Sequence, residues 1–451
     1  MEHKIKSIIA KLAVPGIDFA DVRITNTDFE NIYFQNGILR NYGRSSSAMA
    51  IGIRVLIDGC FGFAGSQDLS DAAITRAIAK AKSNAIHGAL FQKEKLSFPA
   101  LPAASGEYIH TPQIDPFTMP KEEKLDYLSK LAQAIIPQGK IVHSYVMGEF
   151  ERQEKYYANS EGSYSHSVVY NTLPLMSVIS ADGGHIQTRT WPGHMSAARA
   201  GFELFEQQQF SAMTGHIIKE ATDLLSAPVI TEKKADIIIG GGHLALQLHE
   251  SVGHATEADR IFGQEISYAG KTFVKAEMLG KFQYGSDILN IYSDSTDKRG
   301  LGYHIMDDEG VPGRRVDIIK NGILKDQQSS RYIAHKLGLE PSSNMKASFA
   351  DDFPLVRMTN LCIEPVKGSL QDLIKSTEHG YFLDFTKTWS IDDNRNNFQF
   401  TTEIGYRIVN GEIKGIVKEP TYYGITPEFW NSCDAICGEE EWAYHSTFHC
   451  G

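Results

Sequence analysis

Long apolar runs are missing from this sequence: none of its 451 residues belongs to a stretch of the about twenty apolar positions that a helix needs to cross a bilayer. Cysteine is scarce. The five present, Cys60, Cys362, Cys433, Cys437 and Cys450, are an odd and thin set for a chain of this size, which excludes a disulfide framework as the organising principle. A concentrated basic surface is also lacking. Lys and Arg number 44 against 55 Asp and Glu, and the positive residues are dispersed along a chain of net charge −11, so direct contact with nucleic acid is not expected. The N-terminal stretch "MEHKIKSIIAKLAVPG" has neither a long apolar core nor a small-residue cleavage site. It reads as an amphipathic helix rather than a signal peptide, and the expected location is cytoplasmic, with no membrane partner.

What is present describes a globular chain. Apolar residues make up 42% and charged residues 22%, and the length exceeds what one hydrophobic core organises. The pattern predicts an α/β (α+β) fold in two domains, an N-terminal sheet with helices over 1–226 and a β-rich domain over 227–451 that carries the candidate metal-site helix. Met1 to Val14 and Asp68 to Asn84 have helical spacing, as does Thr118 to Ile136. Asn36-Gly37, Asp58-Gly59, Asn321-Gly322 and Asn410-Gly411 each separate apolar-rich runs, the strongest short-range signal of a β-hairpin. Residues 96–117, rich in Pro, Ser and Gly, read as a surface connection, and the stretch after the helix ending at Ile136, to about His194, reads as antiparallel strands. No repeat of fixed short period is found.

One stretch carries chemistry-bearing residues at telling spacing: "LQLHESVGHATEADR", Leu246 to Arg260. Metalloproteases with histidines at i and i+4 place both rings on one helix face with a glutamate alongside. Here the histidines are His249 and His254, five apart, a rotation of about 140° at 100° per residue on a regular helix. A regular helix cannot then direct both rings at one ion. Gly253 offers a remedy, because glycine tolerates a bulge or a left-handed helix end. With a metal held there, Glu250 stands where it could accept a proton from water. Helix-surface polar residues are the competing explanation of the same string.

"HESVGHATEADRIFG", followed by "ISYAGKTF", "YHIMDDEGVPGRR", "NGIL", "RMTNLCIEP" and the closing "FHCG", resembles the TldD/PmbA family, long called modulators of DNA gyrase and regarded as zinc metalloproteases. The resemblance spans nearly the whole chain. It implies zinc (Zn2+) bound by His249, His254 and a cysteine from a C-terminal Cys-Gly, with Glu250 as the catalytic base. That cysteine is Cys450 on the family's spacing, with Cys437 in reserve; family chains continue beyond this Cys-Gly, whereas this sequence stops at Gly451. The resemblance also implies a PmbA/TldE-type subunit as heterodimer partner, or a homodimer, and small or unfolded peptides as substrates. The rival is a peptide- or protein-binding member of the same fold whose metal site is impaired.

Other candidates have plain readings beside the functional ones. Glu257, Asp259 and Arg260 either orient the histidines or form a solvated acidic loop. Asp307, Asp308 and Glu309, a run that could bind a cation or face a peptide amine, read more simply as a solvated turn before Gly310. Cys433 and Cys437, with His445 and His449, are spaced for a second metal site but read more simply as buried thiols. His243 reads as a helix-start or core histidine. "RMTNL", Arg357 to Leu361, has no chemistry that follows from its residues alone.

Overall fold

The structure, a computed structural model, describes residues 1–264 and 270–448; His449 and Cys450, and the first residues of "ISYAGKTF", lie outside the described residues. It is a mixed α/β chain, as the pattern predicts. Among the described residues no helix is long and apolar enough to cross a membrane.

The N-terminal helix α1 (Glu2–Leu12) is followed by β1 (Phe19–Gln35), β2 (Ile38–Ile57) and β3 (Cys60–Ser66), joined by the two expected hairpins. Asn36 and Gly37 have φ of 52° and 77°, and Asp58 and Gly59 have 49° and 72°, the paired left-handed residues that tight hairpins require. Helix α2 (Asp71–Ala89) starts at Ser70, whose hydroxyl accepts the Ala73 N–H. The 96–117 segment departs from the expected surface connection: Ser105–Ile109 is β4, which joins the sheet parallel to β6 (Tyr164–Asp182). Its Pro- and Ser-rich flanks hide the strand. Helix α3 (Lys121–Ala134), β5 (Ile141–Asn159) and β7 (His185–Trp191) follow, then α4 (Leu204–Gln207) and α5 (Phe210–Leu224). The seven strands form one sheet in the order β3-β2-β1-β5-β6-β4, with β7 on β6.

The period-two alternation of this sheet divides its labour. Ala20, Val22 and Ile24 on β1, Val146 and Phe150 on β5 and Met176 and Val178 on β6 are buried in the two cores beneath α1, α2, α3 and α5. The other face is polar and meets the C-terminal half. There Arg54 is fully buried, donating from Nε to Asp21 Oδ2 (2.8 Å) and from Nη1 to Glu309 Oε1 (3.3 Å). Lys155 reaches Asp308 Oδ1 at 2.6 Å, and the Arg331 backbone N–H donates to Glu309 Oε2 at 2.7 Å. Asp307, Asp308 and Glu309 are 2%, 1% and 2% exposed, so the expected solvated turn is instead a buried ionic clamp between the two halves of the chain. Asp307 also shapes that turn, accepting the N–H groups of Glu309, Val311 and Met345.

The C-terminal half holds two larger sheets. β8 (Asp236–Ile239) leads into α6 (Gly241–Leu248), which continues through the candidate motif into α7 (Ala258–Ile261). β9 (Ile291–Asp294), β10 (Arg315–Lys320) and β11 (Ile323–Leu324) form a sheet with β14 (Asn360–Ile363); β12 (Met345–Lys346) and β13 (Leu355–Val356) pair separately. β15 (His379–Ile391), β16 (Asn397–Val409), β17 (Glu412–Lys418) and β18 (Thr421–Ile425) complete the second sheet, in the order β17-β16-β15-β8 with β18 on β16. The Asn321-Gly322 and Asn410-Gly411 turns join β10 to β11 and β16 to β17 as predicted. β8 pairs in parallel with β15 and is the edge of its sheet, and α6 packs back against β15.

Candidate metal centre

His249 to Gly253 forms a single wide helical turn closed by an i→i+5 hydrogen bond from the His254 N–H to the His249 carbonyl. That turn absorbs the fifth residue. The His249 and His254 rings lie with centroids 4.7 Å apart at 81°, and one ligand atom from each of His249, Glu250 and His254 falls within 4.8 Å of the others. The structure therefore brings together three of the residues singled out in the sequence.

A widened turn strands carbonyls that a regular helix would pair, and each needs a partner. Tyr284 donates its hydroxyl to the Ser251 carbonyl, Gln328 Nε2 to that of Gly253 (2.8 Å) and Thr256 Oγ1 to that of Val252 (2.9 Å). Trp430 Nε1 holds the Ser251 hydroxyl at 2.9 Å. Leu248, Val252 and Ala255 bury the apolar side of the turn against Tyr284, Leu289, Ile291 and Trp430.

Gly253 closes the turn as a bulge, the first of the two devices expected of it. Its φ of −54° and ψ of −67° are ordinary right-handed values, so no left-handed helix end is used. The packing around it is close: a Cβ there would stand 2.0 Å from Met358 Sδ and 3.2 Å from Leu361 Cδ2, so the buried Met358 side chain would have to move aside. "RMTNL" thus gains a role, since Met358 and Leu361 press on the turn, while Asn360 Oδ1 accepts the Gly302 N–H and Thr359 bonds Ser293. Gly253→Ala is expected to cost roughly 1–3 kcal/mol through overpacking and to weaken metal binding by displacing His254; thermal melts with a zinc titration check both, and an unchanged midpoint and affinity would refute it.

The surroundings set the ionisation of the imidazoles. Burial, with the neighbouring His254 next in size, pushes His249 down to about 3, so it is a neutral nitrogen donor. His254 is 9% exposed, and its Nδ1 lies 3.0 Å from Glu257 Oε2 and 3.1 Å from Arg260 Nη2, contacts that fix the orientation of the ring. Burial would raise the Glu257 carboxyl, but the charge and hydrogen bond of His254 and the charge of Arg260 outweigh it and hold it at about 2. Arg260 Nε donates to the same Glu257 oxygen at 2.6 Å. Glu257, Asp259 and Arg260 are all buried, so the solvated-loop reading of that stretch falls. The two imidazoles, that of His254 beside the Glu257 carboxylate, and the Glu250 carboxylate next to them form a donor set that fits a zinc ion.

Sequence reasoning missed two partners of the carboxylate at position 250. Trp389 Nε1 donates to Glu250 Oε1 at 3.1 Å, and Arg395 Nη1 pairs with Oε2 at 2.7 Å. Both come from the β15–β16 hairpin, 139 and 145 positions away, and no local pattern marks them. His243 is a core histidine as expected, bonded through Nδ1 to Thr386 and through Nε2 to Tyr422, with burial pushing it down to about 4.

The cluster opens on a cavity of about 1460 Å³. Its walls are the polar face of the N-terminal sheet, including Glu151, Gln153 and Lys155, the β8 edge and the C-terminal segment. Cys433, Cys437 and His445 line the same space but make no metal-holding group among the described residues, and Cys437 is not part of the His249 cluster. Burial pushes the Cys433 thiol up to about 11 and raises Cys437, as suits thiols rather than thiolates. Cys450 lies outside the described residues.

Three family profiles match the chain in order: PmbA/TldA metallopeptidase domain 1 over residues 20–85, the central domain over 114–227 and the C-terminal domain over 232–450. A metalloprotease of Methanocaldococcus jannaschii is 27% identical over 98% of this chain and 94% of its own. A zinc metalloprotease TldD homolog of Saccharolobus solfataricus is 25% identical over 95% of this chain and 90% of its own. Among solved structures, TldE from Thermococcus kodakarensis superposes with a TM-score of 0.74 at 18% identity, covering 97% of this chain and 94% of its own.

Proposed function

The chain belongs to the PmbA/TldA metallopeptidase family, and on that premise we propose that it is a zinc-dependent metallopeptidase hydrolysing peptide bonds in small or unfolded peptides. The observation that carries this reading is the meeting of His249, Glu250 and His254 within 4.8 Å, with both histidines on the wall of a cavity between the two halves of the chain. His249 and His254 would hold the ion, with Cys450 as the third ligand. When bound, zinc supplies Lewis acidity, polarising a carbonyl and making water easier to deprotonate near neutral pH.

The remaining work falls to the chain. Glu250 accepts the proton of the attacking water and returns it to the departing amine. Each of its oxygens keeps a lone pair beyond the one that receives Trp389 or Arg395, so the carboxylate is held in place without being blocked. Ala235 to Gly241 line the cavity, and among the described residues β8 pairs with β15 alone, so an extended peptide can add to its other edge and be read by its backbone. Broad sequence tolerance follows. The partner in this proposal is a TldE-type subunit.

Metal analysis tests the reading directly. The intact protein is expected to carry about one zinc per chain, the usual stoichiometry of a single catalytic site, and to lose both metal and peptide cleavage in His249→Ala and in His254→Ala. Full zinc content in either variant would remove these residues as ligands.

A further inference from the structure

We infer that Arg395 stabilises the negative charge that develops on the carbonyl oxygen of the bond being cut, an inference that rests on the proposed peptidase reaction. Arg395 lines the same cavity as the two histidines, and its Nη1 stands 2.7 Å from the carboxylate assigned as base. The guanidinium is a permanent cation with several donors in a fixed plane, the kind of group that meets a developing oxyanion.

Its backbone is held to that position from several sides. Arg395 has φ of 60°, a left-handed conformation that costs a non-glycine residue energy and persists only where surroundings dictate it. Its N–H donates to the Asp392 carbonyl and its own carbonyl accepts Thr426 Oγ1, both at 2.9 Å. Asp392 Oδ1 takes the Asn396 N–H at 2.7 Å, while Lys271 and Phe273 donate their N–H groups to the carbonyls of Asp393 and Asn394 at 2.8 Å. A hairpin tip anchored in this way presents one cation to the metal-site wall.

The reaction gives that cation a changing partner. Water's oxygen bonds to the carbonyl carbon, the carbonyl π pair moves onto its oxygen, and water's proton passes to Glu250. The anion that Arg395 faced has then been neutralised at the moment a new one appears beside it. The oxyanion pair then re-forms the carbonyl as the C–N bond breaks, the C–N pair goes to nitrogen, and nitrogen takes the proton from Glu250; the new carboxylic acid gives its proton to the amine, carboxylate and ammonium leave, and the Glu250–Arg395 pair is restored. Arg395 thus binds more strongly in the transition state than before it, which is what accelerates the step.

Equilibrium binding tests this apart from turnover. The probes are a phosphinic peptide, whose tetrahedral anion replaces the scissile amide, and a neutral hydroxyethylene peptide of the same sequence, applied to the zinc-loaded full chain. Arg395→Ala is expected to weaken the phosphinic peptide about 10²–10³-fold, with a matching fall in kcat, while the neutral peptide changes less than about threefold. Arg395→Lys should fall between, and zinc content should stay equal throughout. Equal losses for both probes, or none for the anion, would overturn the inference. If wild type binds the anion in this Arg395-dependent way yet never cleaves the parent peptide, the hydrolytic reading fails and the anion contact stands.

Discussion

Glu250→Gln is expected to lower peptide turnover by about 10²–10⁴-fold, the usual contribution of a positioned general base, with zinc content unchanged. Glutamine is nearly isosteric with glutamate but cannot hold the water's proton. It also keeps only one acceptor oxygen where Trp389 and Arg395 now find two, so one of those contacts is lost. The loss should appear in kcat rather than in KM, because the base acts on the chemical step. Steady-state kinetics on a quenched fluorescent peptide, with metal analysis of the same sample, make the check. A variant that keeps a substantial fraction of wild-type kcat would remove Glu250 from the role of base.

The largest stability effect is expected far from the histidines. Arg54→Ala should destabilise the protein by roughly 3–5 kcal/mol, the range for breaking a buried ion pair from one side. The guanidinium is fully buried between Asp21 and Glu309, and its Nη2 also donates to the Asp308 carbonyl at 2.9 Å. Its removal leaves two carboxylates buried without their shared cation. Arg40, exposed on β2, supplies the control, for which Arg40→Ala should change stability by less than about 0.5 kcal/mol. Urea midpoints for the two variants decide the matter; equal values would mean that the clamp contributes nothing.

The same clamp shows where a sequence stops being legible. Asp307-Asp308-Glu309 looks like a solvated turn because three acidic residues run up to a glycine, but Glu309 and Arg54 are 255 positions apart. Nothing local predicts such a pairing. The hairpins at Asn36, Asp58, Asn321 and Asn410 could be read because a tight turn is decided by two adjacent residues and their φ values. The metal motif lies between these cases. The spacing of His249 and His254 showed that a regular helix had to be broken, and the break is there. The packing around it was out of reach, since Met358, which crowds position 253, sits more than a hundred residues later. Trp389 and Arg395 had no signal at all for the same reason.

The widened turn at His249–Gly253 has a consequence for how such sites are recognised. It is the smallest change by which a helix can accept one inserted residue: five positions do the work of four, and the segments on either side keep their faces. Two imidazoles can therefore hold their separation in space while their separation in the chain changes by one. A search for histidines at a fixed interval measures the chain, whereas an ion responds only to where the nitrogens are.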